Sequence, residues 1–255
     1  MITLLKKKEL TIRFGLCEKF GGKIMKKHDI NELEKLQKQL SSNISLKNIF
    51  ELEDIKLVAG IDIAYWSNEG IDYGVCCIVV FDYLTKAIIE EVHHIDKIEF
   101  PYISGYLAFR ELPLVLDTVK KLKSFPDLYM FDGNGYLHNR HMGIATHASF
   151  YLKKPTIGVA KTYLKINNVD FTEPENEVGS YTEIVVNEEV YGRTLRTREN
   201  VKPIFVSCGN WIDLDTATHV VLHFVENNSR LPITTRYADL ATYEARREEL
   251  SKIEK

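Results

Sequence analysis

The chain carries no strong charge of either sign. Lysine and arginine total 33 against 36 aspartates and glutamates, a formal net charge of −3 over 255 residues, which argues against a protein that coats nucleic acid through a nonspecific basic surface. A nuclease stays open, because clustered catalytic acids lower the net charge and a bound divalent cation restores positive potential where it is needed. Cysteine is scarce. Cys17, Cys76, Cys77 and Cys208 form no CxxC pair, so buried reduced thiols are expected, in keeping with a reducing, cytoplasmic setting. No apolar run is long enough to span a membrane. The opening MITLLKKKEL has too short an apolar stretch, on the wrong side of its lysines, for a signal peptide. There is no HExxH pair and no cysteine partner for His138 or His141, which leaves zinc a weak reading. No GxxxxGK[ST] phosphate loop, internal repeat or low-complexity tract is present.

What remains, at 45% hydrophobic residues, suits one α/β domain. Residues 1–28 are lysine-rich without a clear period and read as an N-terminal extension of uncertain status, with Met25 a second candidate for the functional start. The domain is expected over 29–255. Leu33, Leu36 and Leu40 recur at helical spacing, with Asp29 or Asn31 as capping candidates. Lys56–Ile63, Gly74–Phe81 and Ala87–Ile95 read as three close-spaced strands, hence an antiparallel meander. Within it, adjacent Cys76 and Cys77 should point to opposite faces. A helix over Tyr106–Lys123 contains an awkward Pro113. Short strands at Leu128–Asp132 and Thr156–Val159 flank a helix near Gly143–Leu152. Strands at Glu183–Val186 and Pro203–Ser207, a helix over Asp213–Val225 capped by Asp213, and a charged helix over Tyr237–Ile253 complete the pattern. A three-stranded meander followed by α, β, α, β is the order of a ribonuclease H-like mixed sheet with flanking helices.

Three segments place a lone acid in an apolar setting. Asp62 lies inside VAGIDIAY, where an aspartate is disfavoured by strand propensity and costly to bury unpaired. A metal would compensate it, and a solvent-facing strand position is the alternative. Glu111 lies on the first turns of the Tyr106–Lys123 helix beside Phe109 and Leu112, or else is one of the surface glutamates helices commonly carry. Asp132 ends an apolar strand just before Gly133, as an active-site acid or a turn aspartate would. Asp239, in RLPITTRYADLA, is by sequence one acid among many in a polar helix. Several carboxylates brought together cannot all ionise easily without a cation, and hard oxygen donors suit Mg²⁺, with Mn²⁺ as a substitute. Lys161 follows the apolar run Ile157–Ala160 and is thereby pinned near a strand end, where it can meet the charge of a phosphate. An ordinary surface lysine is the plain alternative.

The motifs PYISGYLAFRE, FDGNGYLHNRHMGIATH and PTIGVAK occur in this order. With them the chain resembles endonuclease V, the deoxyinosine-directed repair nuclease, from about Asp29 to Arg246. The resemblance implies a ribonuclease H-like fold and use of Mg²⁺. It also implies recognition of hypoxanthine, the product of adenine deamination, and cleavage of the second phosphodiester bond 3′ to the lesion, leaving 3′-hydroxyl and 5′-phosphate ends. It puts metal-binding carboxylates at Asp62, Glu111, Asp132 and Asp239, the catalytic lysine at Lys161 and the loop histidine at His138. Pro101, Tyr102, Ile103 and Gly105 fall on the family's wedge, in which Tyr102 would insert beside the lesion and replace lost base stacking. Gly133 and Gly135, lacking Cβ, would let backbone approach the flipped base.

Four positions depart from the family pattern. Ser104 replaces the wedge proline, Asn139 the proline after the loop histidine, Thr234 the proline of PTR and Asn210 the histidine of SxGH. None removes a metal ligand; they bear on affinity and wedge rigidity. The expected partner is damaged DNA containing deoxyinosine, bound by a monomer. Inosine-containing RNA is the alternative substrate, since an unpaired base is already accessible. A nucleic-acid-binding protein that has lost catalysis is disfavoured by the presence of all four acids and Lys161. An ATP-using relative of the same architecture is disfavoured by the missing phosphate loop.

Overall fold

The computed structural model describes residues 27–253. Residues 1–26 of the expected 1–28 extension, Met25 and Cys17 among them, lie outside the described residues, and its last two open the first helix. Helix α1 (Lys27–Ser41) opens the described chain. It begins before Asp29 and Asn31, which therefore sit within its first turns rather than capping it. Strands β1 (Leu57–Asn68), β2 (Ile71–Asp82) and β3 (Ile88–Lys97) form the expected meander. The first two are longer than the apolar runs suggested, because the β1–β2 pairing continues in register through Trp66↔Tyr73 to Asn68↔Ile71. The reversal needs only Glu69 and Gly70, both at positive φ (49° and 76°), the geometry of a tight hairpin turn that follows the strands' own twist.

Helix α2 (Leu107–Val119) runs through Pro113. It is followed by β4 (Leu128–Asp132), α3 (Ile144–Leu152) and β5 (Thr156–Ala160). Strands β6 (Tyr181–Val186), β7 (Glu189–Leu195) and β8 (Ile204–Asn210) form a second antiparallel set. Helix α4 (Leu214–His223) is capped by Asp213, whose side chain accepts from the Thr216 amide at 2.7 Å. Helix α5 (Ile233–Ile253) starts four residues before the expected Tyr237: the β-branched Thr234 and Thr235, weak helix formers, are buried and held by packing instead. Strand β7 was not expected at all. Its Gly192 and Arg193 break the alternation, yet Gly192 faces the Val206 carbonyl so closely that a Cβ would stand 2.5 Å from it, and Arg193 is buried.

The eight strands form one mixed sheet in the order β3-β2-β1-β4-β5-β8-β7-β6, parallel at β1–β4 and β4–β5 and antiparallel elsewhere. Helices α2 and α3 cover one face and α4 and α5 the other, over separate apolar layers. Cys77 joins one layer and Cys76 the other, as strand alternation requires. Packing of α5 on β1 is close: a Cβ on Gly60 would fall 2.0 Å from the Thr234 carbonyl oxygen. Among the described residues no helix is long and apolar enough to cross a membrane.

Candidate functional site

Strands β1 and β4 run parallel, with Ile61 paired to Phe131. Asp62 and Asp132 each follow by one residue, so the register sets the two carboxylates side by side. Helix α5, seated on β1 at Gly60, brings Asp239 to the same place. One oxygen from each of Asp62, Asp132 and Asp239 lies within 4.8 Å of the others. Lys161, just past β5, sends Nζ to within 2.6 Å of Asp132 Oδ2 and 3.2 Å of Asp239 Oδ2. Glu111, on the second turn of α2, stands outside this trio. It lines the same cavity of about 180 Å³ together with Asp62, Ile63 and Asp132.

The electrostatics of the cluster follow from burial and like charge. Burial, then the Asp132 charge, pushes Asp62 up to about 8. Burial likewise raises Asp132, although Lys161 opposes it. Glu111, 9% exposed, is pushed up by burial to about 7, and the hydrogen bond donated by Tyr65 Oη to its Oε1 at 2.7 Å pulls the other way. Burial disfavours the Lys161 ammonium, but the surrounding acids outweigh it and hold its pKa above the ordinary value. A single lysine among four acids leaves net negative charge in a confined space, which a cation relieves. The trio offers oxygen donors without histidine or cysteine, a set that fits a hard divalent ion better than zinc.

Two loops adjoin the elements that carry these acids, one before α2 and one after β4. In the loop before α2, Tyr102 is 72% exposed, a large aromatic left facing solvent. Pro101 is exposed and Ile103 packs partly against the α1 cluster. The loop after β4 is pinned between strands: Gly133 N–H donates to the Val159 carbonyl at 3.0 Å, Gly135 N–H to Ser207 Oγ at 2.9 Å, and Tyr136 N–H to the Cys208 carbonyl at 2.6 Å. A Cβ on Gly135 would stand 2.2 Å from the Cys208 carbonyl oxygen, and one on Gly158 2.3 Å from the Gly135 nitrogen. The close approach that requires Gly135 is therefore to the protein's own β8. Gly133, at φ 151°, adopts a conformation that favours glycine. His138 is buried, and its Nδ1 accepts from the amides of Arg140 (3.1 Å) and Met142 (3.3 Å). Burial holds its pKa down to about 4, so the ring is neutral at physiological pH.

The model of the endonuclease V family matches residues 38–240. The endonuclease V of Bacillus thuringiensis subsp. konkukian is 62% identical over 218 residues, spanning 86% of this chain and 93% of that one. The chain belongs to the endonuclease V family. It is thus a nuclease by kinship, and its fold is that family's ribonuclease H-like one. The crystal structure of the Bacillus subtilis family member superposes with a TM-score of 0.85 at 52% identity, over 90% of this chain and 95% of that one. A Ciona intestinalis member, solved with a 24mer DNA containing an inosine followed by a ribo-adenosine, matches at TM-score 0.78 and 29% identity, over 89% of this chain and all of that one.

The structure groups Asp62, Asp132 and Asp239, pairs Lys161 with Asp132 and Asp239, and sets Glu111 on the cavity that Asp62 and Asp132 also line. Sequence reasoning missed Tyr65, which holds Glu111, and Arg230. The Arg230 guanidinium donates to the carbonyls of Lys161 (3.2 Å) and Pro203 (2.7 Å) and so fixes the backbone beneath Lys161. For Tyr65 the strand gives no signal, since three residues beyond Asp62 it faces the other side of the sheet, toward Glu111 on α2. For Arg230 there is none either, because its partners are carbonyls remote in sequence.

Proposed function

We propose that this chain is a divalent-metal-dependent repair endonuclease. It recognises deoxyinosine in DNA and hydrolyses the second phosphodiester bond 3′ to the lesion, leaving 3′-hydroxyl and 5′-phosphate ends. The observation that carries the reading is the convergence of Asp62, Asp132 and Asp239 on one point with Lys161 beside them. Family membership and the inosine-containing DNA held by the Ciona relative support the substrate.

Asp62, Asp132, Asp239 and Glu111 would hold Mg²⁺, or Mn²⁺ in its place. Such an ion activates the attacking water and neutralises charge on the phosphate and the leaving oxygen. The water oxygen bonds to phosphorus, the bond from phosphorus to the 3′-oxygen breaks, and that oxygen leaves as the 3′-hydroxyl after taking a proton. Lys161 stabilises the phosphate charge from the β5 side while Arg230 keeps its backbone in place. Tyr102 fills the stack beside the displaced base, an insertion suited to its exposure. Backbone groups of the pinned loop around Gly133 read hypoxanthine, which differs from adenine at position 6 and N1.

Inosine-containing RNA is the second reading, favoured by the ribo-adenosine that follows the inosine in the Ciona complex. Cleavage of matched 5′-labelled oligonucleotides carrying one deoxyinosine in DNA or one inosine in RNA, in Mg²⁺ and in EDTA, decides between them. A Mg²⁺-dependent nick past the lesion's 3′ neighbour in DNA is expected. Cutting of RNA alone would transfer the function to inosine-RNA processing.

A further inference from the structure

The carbonyl of Gly105 is held from two distant parts of the chain. Arg140, in the loop after β4, donates from Nη2 to the Gly105 oxygen at 2.6 Å. Gln37, on α1, donates from Nε2 to the same oxygen at 3.3 Å. The two side chains also bind each other, Arg140 Nε donating to Gln37 Oε1 at 2.6 Å. Gln37 is fully buried, and the Arg140 guanidinium lies 4.4 Å over the ring of Tyr106, the next residue along. Gly105 itself is at φ 80°, and a Cβ there would sit 2.9 Å from Arg140 Nη2. Both the backbone conformation and the lack of a side chain are needed for the arginine to reach the carbonyl.

This network stands at the base of the 101–105 loop that carries exposed Tyr102. The loop is also tied by the Tyr106 N–H donating to the Ile103 carbonyl at 3.0 Å, by Ile103 packing on the α1 cluster and by a His138 bond to the Gly105 backbone, but Ser104 lets the backbone rotate where a proline would fix φ, and Tyr102 buries little of itself. We infer that Arg140 and Gln37 are positioning residues that lock the Tyr102 loop to the loop after β4, and so preset the distance between the inserting aromatic and the acid cluster. The inference rests on the reading of Tyr102 as the residue that enters the base stack. A locked loop lowers the entropy lost on binding, so its release weakens binding of damaged duplex more than it slows the chemical step.

Two measurements on the full chain test this. The first is hydrogen–deuterium exchange at amides 102–107 in Gln37→Met and Arg140→Lys. Exchange in that segment is expected to rise about tenfold in both, the scale of a lost charge-assisted hydrogen bond, with the sheet unaffected. Gln37→Glu, which keeps the acceptor for Arg140 but replaces the donor to the Gly105 carbonyl with a carboxylate oxygen, should raise it as well. The second is the KM and kcat for nicking of a deoxyinosine duplex in Mg²⁺: KM should rise about fivefold to tenfold with kcat nearly constant. Unchanged exchange at 102–107, or a rise spread over the whole sheet, overturns the clamp. A parent protein that does not cut deoxyinosine would overturn the proposed function, while the exchange result would still decide the clamp.

Discussion

Lys161 and Asp132 are ion-paired at 2.6 Å across the ends of two adjacent parallel strands. The pair has a double consequence. Lys161 supplies positive charge that opposes the upward push of burial on Asp132, and it occupies an oxygen that a cation would also seek. Substituting Lys161→Met should therefore leave divalent-ion affinity equal or tighter while nicking falls about 10²- to 10³-fold, the usual cost of removing one charge-stabilising donor. Calorimetric Mn²⁺ titration beside single-turnover cleavage separates the two; loss of metal binding in parallel with activity would contradict this division of roles.

Cation binding should also show in stability. A ligand that binds only the folded state stabilises it by RT ln(1 + [L]/Kd), about 2.7 kcal/mol at one hundred times Kd. For a domain of this size each kcal/mol moves the melting point by about 2–4 °C. Mn²⁺ should raise the melting temperature of the parent, and EDTA should abolish the rise. Asp132→Asn should respond little. Equal shifts in parent and variant would place the ion elsewhere.

Glu111 gives a pH prediction. It is raised to about 7 by burial, and Tyr65 opposes that rise by donating to the carboxylate. Removing the donor in Tyr65→Phe disfavours the ionised form, so the carboxyl protonates at higher pH. The acidic limb of nicking at limiting metal should move upward by about half to one pH unit, the equivalent of one hydrogen bond. A limb that stays put would separate Glu111 from the ionisation that activity needs.

Much of this site can be read along the chain, and the part that cannot has a common physical cause. Asp62 and Asp132 are recognisable because each sits in or at the end of an apolar strand, an environment that local sequence reveals. Their adjacency is a property of the β1–β4 register. Asp239 becomes a partner only through the seating of α5 on Gly60, a tertiary contact without local signature. The same holds for Arg140 and Gln37, 103 residues apart. Among the elements, β7 escaped because the Gly192 and Arg193 that break its alternation are accommodated by β8 and by Asp215. The start of α5 escaped because packing overrides the low helix propensity of its threonines.

Glycine at position 158 should be needed for both folding and activity. The segment 133–135 crosses β5 so closely that a Cβ on Gly158 would lie 2.3 Å from the Gly135 nitrogen and 2.7 Å from the Gly133 carbonyl oxygen. Backbone cannot rotate away as a side chain can, so Gly158→Ala should cost about 1–3 kcal/mol, as overpacking does, and should displace the strand end that bears Asp132. Urea denaturation measures the first effect and Mn²⁺ affinity the second; a variant equal to the parent in both would show that the crossing relaxes freely.

His147 makes the stability itself depend on pH. It is fully buried on α3, edge-on to Phe109 at 4.9 Å, and neither ring nitrogen has a hydrogen-bond partner among the described residues. Burial holds it neutral, with a pKa lowered from 6.5 to about 3, and His138 is lowered to about 4. Between pH 6.5 and about 4 the unfolded chain takes up protons that the folded chain refuses, so stability rises with pH across that window and is lost as pH falls. Above pH 7 both states hold neutral imidazole and the contribution is constant. Each such histidine can add a slope of up to about 1.4 kcal/mol per pH unit. His147→Leu, of similar volume and without a titrating group, should flatten the fall between pH 6 and 4.5 by about that amount while changing stability at pH 8 much less. Urea midpoints at the three pH values provide the measurement, and parallel curves for parent and variant would mean that His147 gains a proton, or a partner, within the fold.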